Sequence, residues 1–300
     1  MMRKNELMAA FLIALFFPVT YSTAIFITQP VEKAGVKAFE NPSEPTNVLL
    51  LLVILLVVTL MILLIAKYWK KQFIQFFILG AVALTSLYVF YPLLLVFLNT
   101  VLAFNLALIL AFVLLIFLVR YPEWYVIDLC GFIIAVGATA IFGISLSIPL
   151  VIVLLVILAV YDAMAVYRTK HMIDLADSVI DLKLPVLLVI PKRRGYSFLR
   201  KKEQLKKKLG EKKERDAFFM GLGDIVMPGI LVVSAYRFIP NGLPVAAGIT
   251  IGILIGFAVL MIFVMKGKPQ AGLPFLNSGA ILGYIISSFL IFGKLAGIAF

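Results

Sequence analysis

Two aspartates, Asp162 and Asp224, stand inside long apolar runs, in Leu-Ala-Val-Tyr-Asp-Ala-Met-Ala-Val-Tyr and Met-Gly-Leu-Gly-Asp-Ile-Val-Met-Pro. An ionised aspartate at the centre of a membrane helix costs about 2.5–3.5 kcal/mol on insertion scales, so two are not kept there without a partner or a use. Neither run contains a Lys or Arg to neutralise them. Brought face to face, two carboxyls cannot both ionise, and they share one proton. The ionised partner can then draw a proton from water while the protonated one donates to a carbonyl oxygen. That is aspartic-type hydrolysis, and it requires neither a metal nor a nucleophilic side chain. A symmetric pair does not reveal which member is base and which is acid. Gly221 and Gly223, just before Asp224, permit close backbone approach. Tyr161 has two readings, a hydrogen bond to a catalytic carboxyl or a place at a helix interface. A third acid, Asp128, lies only a few residues into its run, where it reads as interfacial or structural.

The elements that position these residues must lie in a membrane. Of 300 residues, 63% are apolar and only 14% charged, against about 25% charged in an average globular chain. With a mean hydropathy of +1.12, the chain must turn apolar surface outward. Inventory removes other chemistries. One cysteine, Cys130, excludes an intrachain disulfide and a multi-cysteine metal site. One histidine, His171, excludes His-Glu-x-x-His zinc chemistry, and its place outside the apolar runs excludes a membrane serine–histidine pair. No cofactor and no metal are expected.

The apolar runs predict an all-α polytopic membrane protein with nine transmembrane helices, at 7–28, 47–67, 72–91, 95–119, 125–144, 147–167, 217–236, 243–265 and 273–292. A single helix over 72–119 would be about 72 Å long, far more than a hydrocarbon core of about 30 Å, so two spans are expected there, divided near Pro92. The first run has some marks of a cleaved signal peptide, but its length favours a retained helix. With nine spans, the connections on one side collect 23 basic residues and those on the other 4. The positive-inside rule then places the N-terminus in the cytoplasm and the C-terminus outside. The chain divides into helices 1–6 over 1–167, a basic cytoplasmic loop over 168–216, and helices 7–9 over 217–300. On this frame Asp162 and Asp224 sit at matched depth, about 8–11 Å below the same surface, on antiparallel helices.

The loop 168–216 holds 15 basic and 7 acidic residues, so the net charge of +12 marks topology and surface attachment rather than a nucleic-acid partner. Residues 184–191 form a short apolar run between prolines, either a strand or an interfacial connector. As a strand, Leu187, Leu188 and Val189 would offer a sheet edge to an unwound substrate. Residues 192–215, with twelve Lys or Arg against three Glu, read as a basic amphipathic helix on the lipid surface or as a solvated linker. Gly248, Gly252 and Gly256 form a small-residue face suited to helix packing.

Tyr161-Asp162 in one span and Gly221-Leu222-Gly223-Asp224 in the next resemble the paired motifs of the presenilin and signal peptide peptidase family. The resemblance implies an intramembrane aspartic endopeptidase of nine spans, acting within the lipid bilayer on transmembrane protein or peptide substrates. It implies Asp162 and Asp224 as catalytic residues, and accessory subunits are not required by it. The family's Pro-Ala-Leu element falls here on Ala271-Gly272-Leu273-Pro274, with Ala271 where the family has proline and Gly272 where it has alanine. A cytoplasmic N-terminus is the presenilin orientation. The competing reading is a secondary transporter that uses Asp162 and Asp224 for proton or cation coupling. Against it, both acids lie in adjacent spans off the midplane, and no matching pair of interrupted spans recurs in the two halves.

Overall fold

A computed structural model of the chain describes residues 4–68, 71–166, 185, 187–191, 217–265 and 270–298. In chain order the helices are α1 (Lys4–Lys33), α2 (Thr46–Tyr68), α3 (Lys71–Leu95), α4 (Thr100–Arg120), α5 (Trp124–Ser145) and α6 (Ile148–Met164). Two strands follow, β1 (Leu187–Pro191) and β2 (Ala217–Gly221), then α7 (Leu222–Phe238), α8 (Leu243–Val264) and α9 (Leu273–Phe292). In lipid each backbone N–H and C=O must be satisfied within the segment, which is why these apolar runs become helices. Pro149, Pro244 and Pro274 sit in the first turns of α6, α8 and α9, where the missing N–H has no helical acceptor to lose. Gly293, at φ 66°, closes α9 in the left-handed conformation.

Helices α1, α5 and α7 form the centre. The stripe Ile13, Phe17, Tyr21, Ala24, Ile27 and Val31 buries one face of α1 at intervals of three and four residues. Helix α7 is buried nearly all round, from Ile225 through Ala235. The periphery is the reverse: Phe76 is 79% exposed, Phe97 85% and Leu290 81%, an apolar outer surface of the kind that faces lipid. Helices α1, α3, α4, α5, α8 and α9 contain stretches long and apolar enough to cross a membrane; α2 and α6 contribute shorter apolar stretches.

Helices α8 and α9 pack through glycines. A Cβ on Gly252 would collide with the Gly279 carbonyl, and one on Gly256 with the Phe275 carbonyl. Without side chains in the way, the two backbones come into contact, as small-residue faces allow. The packing role expected for Gly248, Gly252 and Gly256 is what the structure shows.

Two expectations need amending. Residues 217–221, expected to open the seventh span, form β2 instead, and the helix starts at Leu222. Among the described residues the all-helical fold thus carries one small two-stranded sheet. β1 and β2 pair antiparallel, with Leu187 opposite Gly221, Val189 opposite Phe219 and Pro191 opposite Ala217. Aromatic residues at 218 and 219 suit a pleated surface, and β1 supplies the partner that a lone reading of 217–221 lacks. Secondly, Pro92 does not divide the third and fourth helices but lies within α3. The break falls at 96–99, where the Asn99 side chain caps α4 by accepting the Leu102 N–H at 2.9 Å. Of the two readings of 184–191, the strand forms, over Leu187–Pro191, with the side chains of Leu188 and Val189, 1% and 3% exposed, packed into the core. The basic stretch 192–215 and His171 lie outside the described residues.

Candidate active site

Helix α6 ends at Met164, two residues past Asp162, and α7 begins at Leu222, two residues before Asp224. The two helices pack against each other, so the last turn of one meets the first turn of the other. Gly221, extended at φ −63° and ψ 135°, ends the strand and starts α7. Each aspartate thus lies two residues inside its helix end, with a strand in place of helix on the chain up to Gly221.

Both carboxyls reach the same short segment before α9. Asp162, 6% exposed, accepts the Leu273 N–H on Oδ2 at 3.0 Å. Asp224 lies against Gly272: a Cβ there would stand 2.8 Å from its Oδ2 and 3.1 Å from its Cγ. On its other side a Cβ on Gly221 would meet the same Oδ2 at 3.4 Å, whereas Gly223 faces open space. Segment 271–273 is therefore the floor of the pair. Ala271 is fully buried in it, and Pro274 completes the first turn of α9. Asn277, one turn on, donates from Nδ2 to the Leu155 carbonyl at 2.9 Å and ties α9 to α6. Tyr161 is 58% exposed and projects away from the interior in which Asp162 is buried.

Sequence reasoning missed Tyr21. Its buried hydroxyl donates to the Ile225 carbonyl at 2.9 Å, directly after Asp224, and its ring packs where Gly229 has no side chain. Pro228, inside α7, lacks the N–H that would close onto the Asp224 carbonyl. Asp224 thus sits in a helical turn that lacks this ladder bond and is held from α1 by a tyrosine. Nothing in the run around Tyr21 marks it, because its partner is 204 residues away.

Two carboxyls converging on one backbone segment can hold and activate one water and protonate one carbonyl oxygen. Among the described residues no group of three or more His, Cys, Asp or Glu converges as a metal site.

Two aspartates thus stand at adjoining helix ends within an apolar bundle. The family model described as "Signal-peptide peptidase, presenilin aspartyl protease" matches residues 13–294, and the chain belongs to that family. A solved structure of a presenilin family intramembrane aspartate protease in space group P2 is 40% identical, with a TM-score of 0.69, covering 92% of this chain and 96% of that one. A second, in space group C222, is 36% identical with a TM-score of 0.67, covering 93% and 96%. No curated protein matches the chain. The protein is an aspartic endopeptidase, and the transporter reading finds no support.

Proposed function

We propose that Asp162 and Asp224 are the catalytic pair of this intramembrane protease and that they cleave transmembrane segments with a water activated between them. The observation that carries the assignment is their convergence on 271–273, Asp162 through the Leu273 amide and Asp224 against Gly272. A water held between the carboxyls loses a proton to one as it attacks the scissile carbonyl, and the other protonates the developing oxyanion. Segment 271–273 fixes the floor, and Gly221 lets the backbone come close to the pair. The nine helices among the described residues are proposed to cross the bilayer with the N-terminus and loop 168–216 on the cytoplasmic side and the C-terminus outside. The count of basic residues supports this orientation.

A helical substrate must unwind, since its carbonyls are engaged in its own hydrogen bonds. The strand pair supports a place where unwound chain is held. Val189 spends its N–H on Asp128 at 2.8 Å, and Pro191 has none, so the outer edge of β1 is poorly suited to pairing. The edge of β2, which runs directly into Gly221 and Asp224, is better placed. Leu187, Leu188 and Val189 then serve the substrate indirectly, as the backing of β2. The decisive experiment is cleavage of a labelled transmembrane peptide by purified wild type, Asp162→Ala and Asp224→Ala. Activity is expected only in the wild type; full activity in either variant would refute the assignment.

A further inference from the structure

Asp128 takes no part in the chemistry above, yet it is an acid set in the second turn of an apolar helix. Its carboxylate Oδ1 accepts the N–H of Val189 at 2.8 Å, across 61 residues of sequence. Around this bond the packing is apolar: Val82, Leu118, Val126, Ile127, Cys130 and Ala217. A buried carboxyl in such surroundings is costly unless its bond fixes something.

What it fixes is the register of the sheet. Val189 is the middle residue of β1 and stands opposite Phe219. In an antiparallel ladder residues alternate between those that bond across to the partner strand and those that point away from it. Because the Val189 N–H is directed at Asp128, Val189 and Phe219 form a pair of the second kind. Leu188 with Met220 and Ile190 with Phe218 then hold the two strands together. By the same alternation Ala217, Phe219 and Gly221 turn their N–H and C=O groups to the far edge of β2. A two-stranded ribbon of five residues is marginal on its own, and a slip of one residue would exchange every inward group for an outward one. Asp128 prevents that slip by occupying, from α5, the position a third strand would otherwise hold.

We propose that Asp128 is a positioning residue: by binding the Val189 amide it locks the β1–β2 register, and so determines which backbone groups of β2 meet a substrate and which peptide bond is delivered to Asp162 and Asp224. This rests on the reading of β2 as the substrate-pairing edge. A substrate strand paired to β2 in one register places one bond at the aspartates, whereas a loosened ribbon places several. The contribution is to binding and to the choice of bond, not to proton transfer.

The test uses the full chain in detergent with a labelled transmembrane peptide, reading KM, kcat and the product ends by mass spectrometry. Asp128→Asn keeps an oxygen acceptor and is expected to stay within about twofold of wild type. Asp128→Leu is expected to raise KM about tenfold, through the loss of this hydrogen bond and a buried N–H left unpaired, and to spread cleavage over neighbouring bonds. Val189→Pro removes the donor at a position whose N–H does not serve the ladder. It should reproduce the Asp128→Leu pattern, and the double variant should be no worse than either single one. Should Asp128→Leu fail to fold, Val189→Pro carries the test. A wild-type KM and a single cleavage position in the variants would overturn the proposal, as would damage in Asp128→Asn equal to that in Asp128→Leu. Amide hydrogen exchange of 187–191 and 217–221, faster in Asp128→Leu than in wild type, reads the lock without reference to cleavage. Faster exchange with an unchanged cleavage position would refute β2 as the pairing edge while leaving the lock standing; unchanged exchange would refute the lock itself.

Discussion

The hydroxyl of Tyr21 on α1 donates to the carbonyl of Ile225 on α7, one residue past Asp224, at 2.9 Å. That carbonyl is also the helical acceptor for Gly229, so losing the hydroxyl leaves it paired once rather than stranded. Tyr21→Phe should therefore cost only about 0.5–1.5 kcal/mol of stability. Tyr21→Ala also removes a fully buried ring and should cost about 3–5 kcal/mol. Thermal unfolding in detergent checks both, and a Phe variant as unstable as the Ala variant would assign the main role to the hydroxyl instead of the ring. Because the bond steadies the turn that carries Asp224, kcat should fall further than KM rises in Tyr21→Phe.

The missing side chain at Gly272 lets α9 come close to Asp224. A methyl group there stands 2.8 Å from Oδ2, so the carboxyl must move away to admit it. In Gly272→Ala kcat should fall about tenfold, roughly 1.4 kcal/mol of lost transition-state stabilisation. In Gly272→Val, whose branches cannot be relieved by one carboxyl rotation, cleavage should vanish. Both variants should keep the tie from Asn277 to the Leu155 carbonyl, and hence near-normal unfolding temperatures. Wild-type kcat in the valine variant would show that Asp224 does not need this position.

Two carboxyls that share one proton are active in a single protonation state, and this sets the shape of the pH profile. The plot of kcat/KM against pH should be bell-shaped, lost on the acid side as both carboxyls protonate and on the alkaline side as both ionise. The two limbs belong to the pair rather than to either aspartate. A profile that rises to a plateau and stays there at high pH would point to one working carboxylate instead.

How much of this was open to reading from the sequence depended on whether a residue's cost was local. Asp162 and Asp224 could be singled out because charge in an apolar run is expensive wherever the chain goes, and their nearness to helix ends followed from counting residues. The strand β2 was hidden, since Ala217-Phe218-Phe219-Met220 is as apolar as the helix it precedes and its partner lies 30 residues upstream. Tyr21 and the bond of Asp128 to Val189 were hidden for the same reason: each is a long-range pairing. Pro92 misled in a different way. A proline inside a membrane helix is tolerated where neighbouring groups absorb its defect, and the actual break needed a capping side chain, Asn99, to start α4. The reach of segment 271–273 to both aspartates could be anticipated only through family resemblance.

At the opposite end of α7 from the aspartates, Arg237 grips Glu32 at the end of α1, with Nε to Oε2 at 2.8 Å and Nη2 to Oε1 at 2.5 Å. The two side chains are 41% and 31% exposed, so water and salt weaken the pair despite its two-pronged geometry. Arg237→Ala should lower stability by no more than about 1 kcal/mol at low salt, and by less as salt is raised. Unfolding measured at two ionic strengths checks this, and a salt-independent loss of several kcal/mol would mean that the arginine stem, rather than its charge, holds the helices.

The glycine contact between α8 and α9 should be far less forgiving, because both sides of it are backbone. A side chain on Gly252 would meet the Gly279 carbonyl and the Cα of Gly283, neither of which can rotate away. Gly252→Val must then push α9 outward, at a cost of about 1–3 kcal/mol or more for overpacking. The same displacement would carry Gly272 and Leu273 away from Asp224 and Asp162, since α9 begins at that segment. The variant should lose cleavage at temperatures where most of it remains folded. By contrast Gly223→Ala, at a position facing open space, should leave folding intact. Measuring unfolding and cleavage on the same preparations separates the two effects. Retained cleavage in Gly252→Val would show that segment 271–273 holds its place independently of the helix it precedes.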